Sequence, residues 1–208
     1  MAFCLGIDFE FIEHDPYNKS EEWLKINPQG LVPVLIYNGK IVTESSICLE
    51  FVEDLHCNNE PHVLPTDPYK RARARLMADH ISKKILPHFF GMLKHPDQQE
   101  QEKELLLKGV ADLMRDADET GPFLMGAEFS LPDIMFASFA LRINVVLPEY
   151  RDFSIPSGDQ DCPDADMYKK YHAWFKTIEG LDIFKTTRVS DERIIKSFDK
   201  FEKNPRRN

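Results

Sequence analysis

Cysteine is scarce in this chain. Four residues, Cys4, Cys48, Cys57 and Cys162, are spread over 208 positions with no CxxC pair and no regular framework, which excludes a disulfide scaffold and fits a reduced, cytoplasmic setting. Basic charge is also in deficit: 26 Lys and Arg face 35 Asp and Glu, for a net charge of −9. A phosphate backbone is repelled by that balance, so nucleic acid is not an expected partner. Residues 1–66 hold no arginine at all. Their three lysines, Lys19, Lys25 and Lys40, stand against eleven carboxylates and give this stretch −8 of the total. A basic leader is missing from Met1–Asp8, and acidic residues arrive before any long apolar run; neither a secretory signal nor a membrane anchor is expected. Glycine, at nine residues, is too sparse for collagen, and no repeat occurs.

What remains is the composition of a folded domain or two. Hydrophobic residues make up 42% and include 15 Phe, enough apolar surface to offset the ordering entropy of the chain. Ile7, Phe9 and Phe11 alternate with Asp8 and Glu10, the period of a half-buried strand, expected over Ile7–Glu13. Asn27-Pro28-Gln29-Gly30 reads as a turn. Val34–Tyr37 and Lys40–Val42 flank Asn38-Gly39, a strong hairpin signal. Thr43, Glu44, Ser45 and Ser46 offer capping chemistry to a helix with apolar positions Ile47, Phe51, Val52 and Leu55. The turn-rich Asn58–Pro68 stretch is read as a linker, giving domains at 1–62 and 67–208.

Helical periodicity governs the rest. Asp67-Pro68 opens a helix that runs through Ile81, Ile85 and Leu86 until Pro87 kinks or ends it. Leu105–Met114 mark a second helix. Leu131–Val146 is apolar nearly all round and reads as a buried central helix. Tyr168, Tyr171, Trp174, Phe175 and Ile178 stripe a fourth, Ile194, Ile195, Phe198 and Phe201 a fifth, and Arg151–Asp166 is a loop.

Chemistry concentrates in the first third. A cis bond ahead of Pro33 would leave the backbone N–H and C=O of Val32 unpaired, able to dock an extended peptide as an added strand. Past the hairpin, Ser45 and the free N–H groups of the first helical turn form an anion site suited to a carboxylate, while Glu44 can accept from an ammonium group. These features describe a site for a short peptide with a free amino-acid head.

The run Asn27-Pro28-x-Gly-Leu-Val-Pro-Val-Leu, followed by Glu44-Ser45-Ser46-Ile47, resembles the N-terminal half-site of cytosolic glutathione transferases, most nearly omega-like and fungal types. The likeness extends to Gly126–Ile134, similar to the capping box that opens the buried central helix of that family, and to Lys185–Glu192, similar in style to fungal members. It implies an α/β plus all-α fold, a thioredoxin-like domain followed by an all-helical domain. It implies glutathione as co-substrate, held by Val32, Pro33, Glu44 and Ser45, with Lys19 as the counterpart of the lysine that contacts the glycyl carboxylate. His88, Phe89 and Phe90 fall where the family walls its pocket for a hydrophobic small molecule, with packing in the core as the other reading of the same residues. A homodimer across the first linker-proximal helix is implied as well.

The chain departs from the family pattern at its start. The family opens with a strand and a long helix before Ile7, with the thiol-activating Tyr, Ser or Cys between them. Met1–Gly6 matches only the end of that helix, so a truncated thioredoxin-like domain is expected and no catalytic residue is assigned. Cys4 and Cys48 read as packing residues rather than nucleophiles. His56, Cys57 and His62 lack metal-ligand spacing, Asp159, Asp161, Asp164 and Asp166 lack the pattern of a calcium loop, and Arg71, Arg73 and Arg75 read as a solvated or subunit-facing stripe. Two functions stay open: a glutathione transferase, with a tailoring step of fungal secondary metabolism as one setting, and a non-catalytic binding or interaction module on the same fold.

Overall fold

The structure is a computed structural model describing residues 5–15, 18–56, 62–159 and 161–201. It divides into two compact units, Met1–Val63 and Leu64–Asn208.

In the first unit, Ser20 caps α1 (Glu21–Ile26), its Oγ accepting from Trp23 N–H at 3.1 Å. The helix buries Trp23, whose ring stacks on His14 at 4.2 Å. β1 (Val34–Tyr37) and β2 (Lys40–Thr43) pair antiparallel, Val34 opposite Thr43 and Tyr37 opposite Lys40. Asn38 and Gly39 both take positive φ, 50° and 73°, the requirement of the tight turn whose twist matches the flanking strands. α2 (Ser45–Leu55) lays Cys48, Val52 and Glu53 inward. The buried Glu53 carboxylate accepts Val63 N–H at 3.2 Å and meets His62 Nδ1 at 3.1 Å, fastening the end of the unit.

The expected strand over Ile7–Glu13 does not form. Those residues belong to no strand or helix, and Phe9, Phe11 and Ile12 are 54%, 77% and 60% exposed. Alternation marks a chain able to be a strand; a ladder also needs a neighbour to exchange hydrogen bonds with.

The second unit is helical. Asp67 caps α3 (Pro68–His80) by accepting Lys70 N–H at 2.8 Å, with Pro68 in the first turn where its missing donor costs nothing. Of the two outcomes expected at Pro87, a kink or an end, the helical run does not end there. A π turn at Ile81–Ile85, with Leu86 N–H bonded to Ile81 O, widens the helix just before the proline, and α4 (Leu86–Lys94) continues through it. Proline removes the donor that the carbonyl four residues earlier would use; widening the preceding turn re-partners the backbone around that gap.

After a 3₁₀ turn at Pro96–Gln98 come α5 (Gln99–Asp116), α6 (Leu131–Arg151), α7 (Ala165–Gly180), α8 (Asp182–Thr187) and α9 (Asp191–Ser197). α6 is the axis of the core, burying Phe136, Ala140, Ile143 and Leu147. Its length and hydropathy would suffice to cross a membrane, but over half of that window is buried inside the unit. Asp133 anchors its start, accepting from Ser130 N–H (3.0 Å), Ser130 Oγ (2.7 Å), Leu124 N–H (2.9 Å) and Trp174 Nε1 (2.8 Å), the capping box expected from the sequence. Arg151 ends it. Its buried guanidinium donates to Met92 O and Leu93 O, carbonyls of the last turn of α4, and to Phe201 O, so one cation caps a neighbouring helix and holds the segment at Phe201 against it. The fold is thus α/β plus all-α: a thioredoxin-like N-terminal unit and a helical C-terminal one.

Candidate functional site

The hairpin register locates the site. Val34 and Thr43 form its last pair, so Pro33 and Glu44 are the next residues on either strand, and Val32 and Ser45 lie one position further out. Sequence reasoning placed these four together, and the hairpin does bring them to one end of the sheet. The Val32–Pro33 peptide is cis. Val32 is 55% exposed and its N–H and C=O make no hydrogen bond among the described residues; they are backbone groups that an extended ligand can pair with.

Across from them, α2 begins without a side-chain cap. Glu44 is its N-cap residue in an unusual conformation, φ 68° and ψ 123°, and its carboxylate makes no capping bond. The first bond of the helix runs from Cys48 N–H to Glu44 O at 2.8 Å, which leaves the N–H groups of Ser45, Ser46 and Ile47 without partners in an exposed turn. Expected capping by Thr43, Ser45 or Ser46 is absent. The exposed Ser45 adds a hydroxyl to those donors, so the tip can receive a carboxylate.

Lys19 lies where the loop before Pro33 turns. A β-carbon at Gly30 would meet Lys19 Cδ at 2.6 Å and Nζ at 2.9 Å, so the lysine side chain runs across the glycine backbone. Gly30 itself sits at φ 62°. Asn27, which sequence reasoning read only as part of a turn, organises the loop. It is 5% exposed, its Nδ2 donates to Leu31 O at 2.7 Å, and its Oδ1 accepts Gln29 N–H at 3.3 Å. The signal was present in an Asn ahead of a Pro-x-Gly turn, whose side chain can bond its own backbone.

Cys48, four residues beyond Glu44, packs inward. Its thiol donates to Val42 O at 3.4 Å and burial raises its pKa, the reverse of an activated nucleophile. Cys4 and Cys57 lie outside the described residues. His62 is engaged with Glu53, and no group of three His, Cys, Asp or Glu poised for a metal occurs among the described residues.

In the helical unit, His88, Phe89 and Phe90 come directly after Pro87 on α4, with different fates. Phe89 is completely buried, edge-on to Phe90 and Phe198, and presents no surface to a ligand, which corrects its reading as a pocket wall in favour of the core packing also open to it. His88 is half-buried, with Nδ1 2.7 Å from Glu102 Oε2. Phe90 is partly exposed against Phe139, with Lys94 over its ring.

With that geometry in view, comparison with known proteins is specific. The family model described as "Glutathione S-transferase, N-terminal domain" matches residues 1–55. The chain is 33% identical to probable glutathione S-transferase parC of Nicotiana tabacum, over 82% of this chain and 73% of that protein. It is likewise 33% identical to glutathione S-transferase U19 of Arabidopsis thaliana, over 82% and 74%. Among solved structures, glutathione transferase Omega 3C from Trametes versicolor superposes with a TM-score of 0.78 at 34% identity, covering 91% of this chain and 81% of that one. Rice GST1 (OsGSTU1), solved in complex with glutathione, shares the fold with a TM-score of 0.78 at 22% identity, over 94% and 87%.

Proposed function

The chain belongs to the glutathione S-transferase family, and from that premise we propose that it holds glutathione as co-substrate at the open end of the β1–β2 hairpin and joins its thiol to a hydrophobic electrophile. The observation that carries the reading is the register that sets the unpaired backbone of Val32 beside the uncapped start of α2. Val32 N–H and C=O, with Pro33 fixing the bend beside them, pair with the cysteinyl backbone of the tripeptide. Ser45 and the free N–H groups of the first turn receive the γ-glutamyl carboxylate, and the Glu44 carboxylate accepts from its ammonium group. Lys19, held across Gly30, pairs with the glycyl carboxylate. Each contact uses a group with no partner of its own among the described residues, so binding leaves no new polar group stranded.

Catalysis then requires the thiol to give up its proton; the thiolate attacks the electrophilic carbon and forms the new S–C bond while, for an aryl halide, the carbon–halogen bond breaks and halide departs. No residue of this chain is assigned to thiol activation. His88 and Phe90 on α4 are offered as walls of the electrophile pocket. A homodimer across α3, a cytoplasmic setting and a tailoring role in secondary metabolism complete the reading.

Titration calorimetry with glutathione and a conjugation assay with an aryl halide test it together. We expect saturable binding that Ser45→Ala weakens about tenfold, the scale of a lost charge-assisted hydrogen bond, and turnover above the uncatalysed rate. Binding without turnover reassigns the chain to a non-catalytic module on the same fold; absence of binding removes the transferase reading and leaves only an interaction module that works through the helical unit.

A further inference from the structure

Among the described residues the sheet of the first unit holds β1 and β2 alone. In a hairpin closed by Asn38 and Gly39, Tyr37 and Lys40 exchange both of their backbone hydrogen bonds, and two positions on Leu35 and Val42 do the same. The N–H and C=O groups of Val34 and Ile36 therefore point away from β2, along the outer edge of β1, and neither residue has another backbone partner among the described residues. Such an edge is a template for a further strand. One face of the hairpin lies towards α2, where Tyr37 meets Phe51 edge-on at 5.6 Å. The opposite face is left exposed at Ile36 (56%) and Ile41 (48%), a directly opposed pair. Two strands with an open apolar face are fewer than a stable sheet ordinarily has.

The same chain carries the pattern of a strand that has no sheet. Ile7, Phe9 and Phe11 alternate with Asp8 and Glu10, residues 7–13 belong to no strand, and Phe9 and Phe11 are exposed. Side chains alternate between faces along a strand. Laid beside β1 with Ile7, Phe9 and Phe11 on the side of Ile36 and Ile41, the segment extends that apolar face and turns Asp8 and Glu10 to the other. The charges then match: from Val34 to Thr43 the one charged residue is Lys40, which stands opposite Tyr37 and so on the face that receives the two carboxylates.

We propose that two copies of this chain associate by exchanging strands, residues 7–13 of each adding along the outer edge of β1 in the other. The added strand donates to and accepts from Val34 and Ile36, so the edge gains the partners it lacks and Phe9 and Phe11 leave water together with Ile36 and Ile41. A second copy is the occupant because the open edge, the strand pattern and the complementary charge all belong to this one sequence, while within a single copy the segment is not on the edge. Each copy gives one strand and receives one, so the contact closes on a two-fold axis and stops at a pair. It lies within the first unit and uses none of the residues assigned to glutathione. It is also separate from a dimer across α3, so neither reading depends on the other.

Amide hydrogen exchange on the full chain, followed residue by residue over a range of protein concentrations, tests the exchange of strands. The Val34 and Ile36 amides and those of residues 7–13 should slow together, by about tenfold for a hundredfold rise in concentration, the square-root dependence of a monomer–dimer equilibrium. Ile36→Pro deletes the outward N–H and leaves the bonds to β2 in place, because proline is tolerated where the donor faces away from the ladder; it should abolish the concentration dependence in residues 7–13. A synthetic peptide of residues 5–15, added to the dilute unaltered protein, should slow exchange at Val34 and Ile36, a readout that needs no variant to fold. Protection that does not change with concentration would place the segment on the edge of its own copy. Absence of protection at every concentration would leave the edge to a foreign strand. Either result, survival of the effect in Ile36→Pro, or a peptide without effect would overturn the proposal.

Discussion

The side chain of Lys19 lies across Gly30, so close that a β-carbon on the glycine would meet its Cδ at 2.6 Å. The two residues are coupled by backbone conformation as much as by space. Gly30 sits at φ 62°, a region that L side chains rarely adopt, and the lysine end is flexible enough to move. Gly30→Ala should therefore cost about 1–2 kcal/mol of stability, mostly from the left-handed backbone. Lys19→Ala in the same chain should recover little of it. Urea denaturation of the single and double variants measures this; full recovery in the double variant would show that the clash, and not φ, is what matters. Glutathione affinity should fall in both single variants, because Gly30→Ala displaces the Lys19 ammonium and Lys19→Ala removes it.

Asn27 makes its own prediction. Buried and bonded to Leu31 O and Gln29 N–H, it ties the turn to the strand-like segment that carries Val32. Asn27→Ala leaves Leu31 O without its side-chain donor and should destabilise the protein by about 1–3 kcal/mol. Because the loop it holds presents Val32, the dissociation constant for glutathione should rise as well. A variant that loses stability with no change in affinity would confine Asn27 to a structural role.

The site was legible in the sequence where chemistry and local geometry coincide. Asn38-Gly39 demanded a tight hairpin, the hairpin fixed the register, and the register brought Pro33 to Glu44. Asp133 was legible for the same reason, since a Ser-x-x-Asp spacing suits one helix start and little else. Misreadings arose where the deciding partner is invisible in the local pattern. Ile7–Glu13 alternates as a strand does, but alternation says nothing about whether a neighbouring strand is there to pair with. Pro87 left a kink and an end both open because a π turn, which moves the problem one turn upstream, has no residue signature of its own. Phe89 and Phe90 are chemically identical in sequence, and only packing against Phe198 and Phe139 separates a core ring from a partly exposed one.

Glu44 holds a backbone conformation that a glycine would occupy without strain. Retaining a side chain there costs on the order of 1–3 kcal/mol, while glycine would lose more freedom on folding, roughly 0.5–1 kcal/mol. Glu44→Gly should then leave stability unchanged or slightly raised, yet weaken glutathione about tenfold by removing the acceptor for its ammonium group. Denaturant midpoint and calorimetric affinity, read on one preparation, separate the two effects. A large loss of stability would mean that the Glu44 side chain braces the helix start.

Cys48 should be inert in the folded protein. Burial raises its thiol pKa and Val42 O occupies its hydrogen, so little thiolate forms near neutral pH. Iodoacetamide at about pH 7.5, a unit below the ordinary thiol pKa, should leave it unmodified until urea opens the first unit, with peptide mapping as the readout. Prompt alkylation of Cys48 under native conditions would contradict the packing described for α2.

Asp133 gathers four buried hydrogen bonds, joining the start of α6 to Leu124 and to Trp174 of α7. Asp133→Ala removes the cap and leaves the Leu124 N–H and the Trp174 Nε1–H unsatisfied in the interior. A lost cap costs about 1 kcal/mol and each stranded donor about 1–3 kcal/mol, so a loss of about 4 kcal/mol is expected, a large share of the stability of a domain this size. Asp133→Asn keeps the shape and one acceptor oxygen, so its cost should be about half as great. Trp174 fluorescence, read in a Trp23→Phe background, follows unfolding of this unit alone. Equal losses for alanine and asparagine would show that the second carboxylate oxygen, the one that accepts both groups of Ser130, carries the anchor by itself.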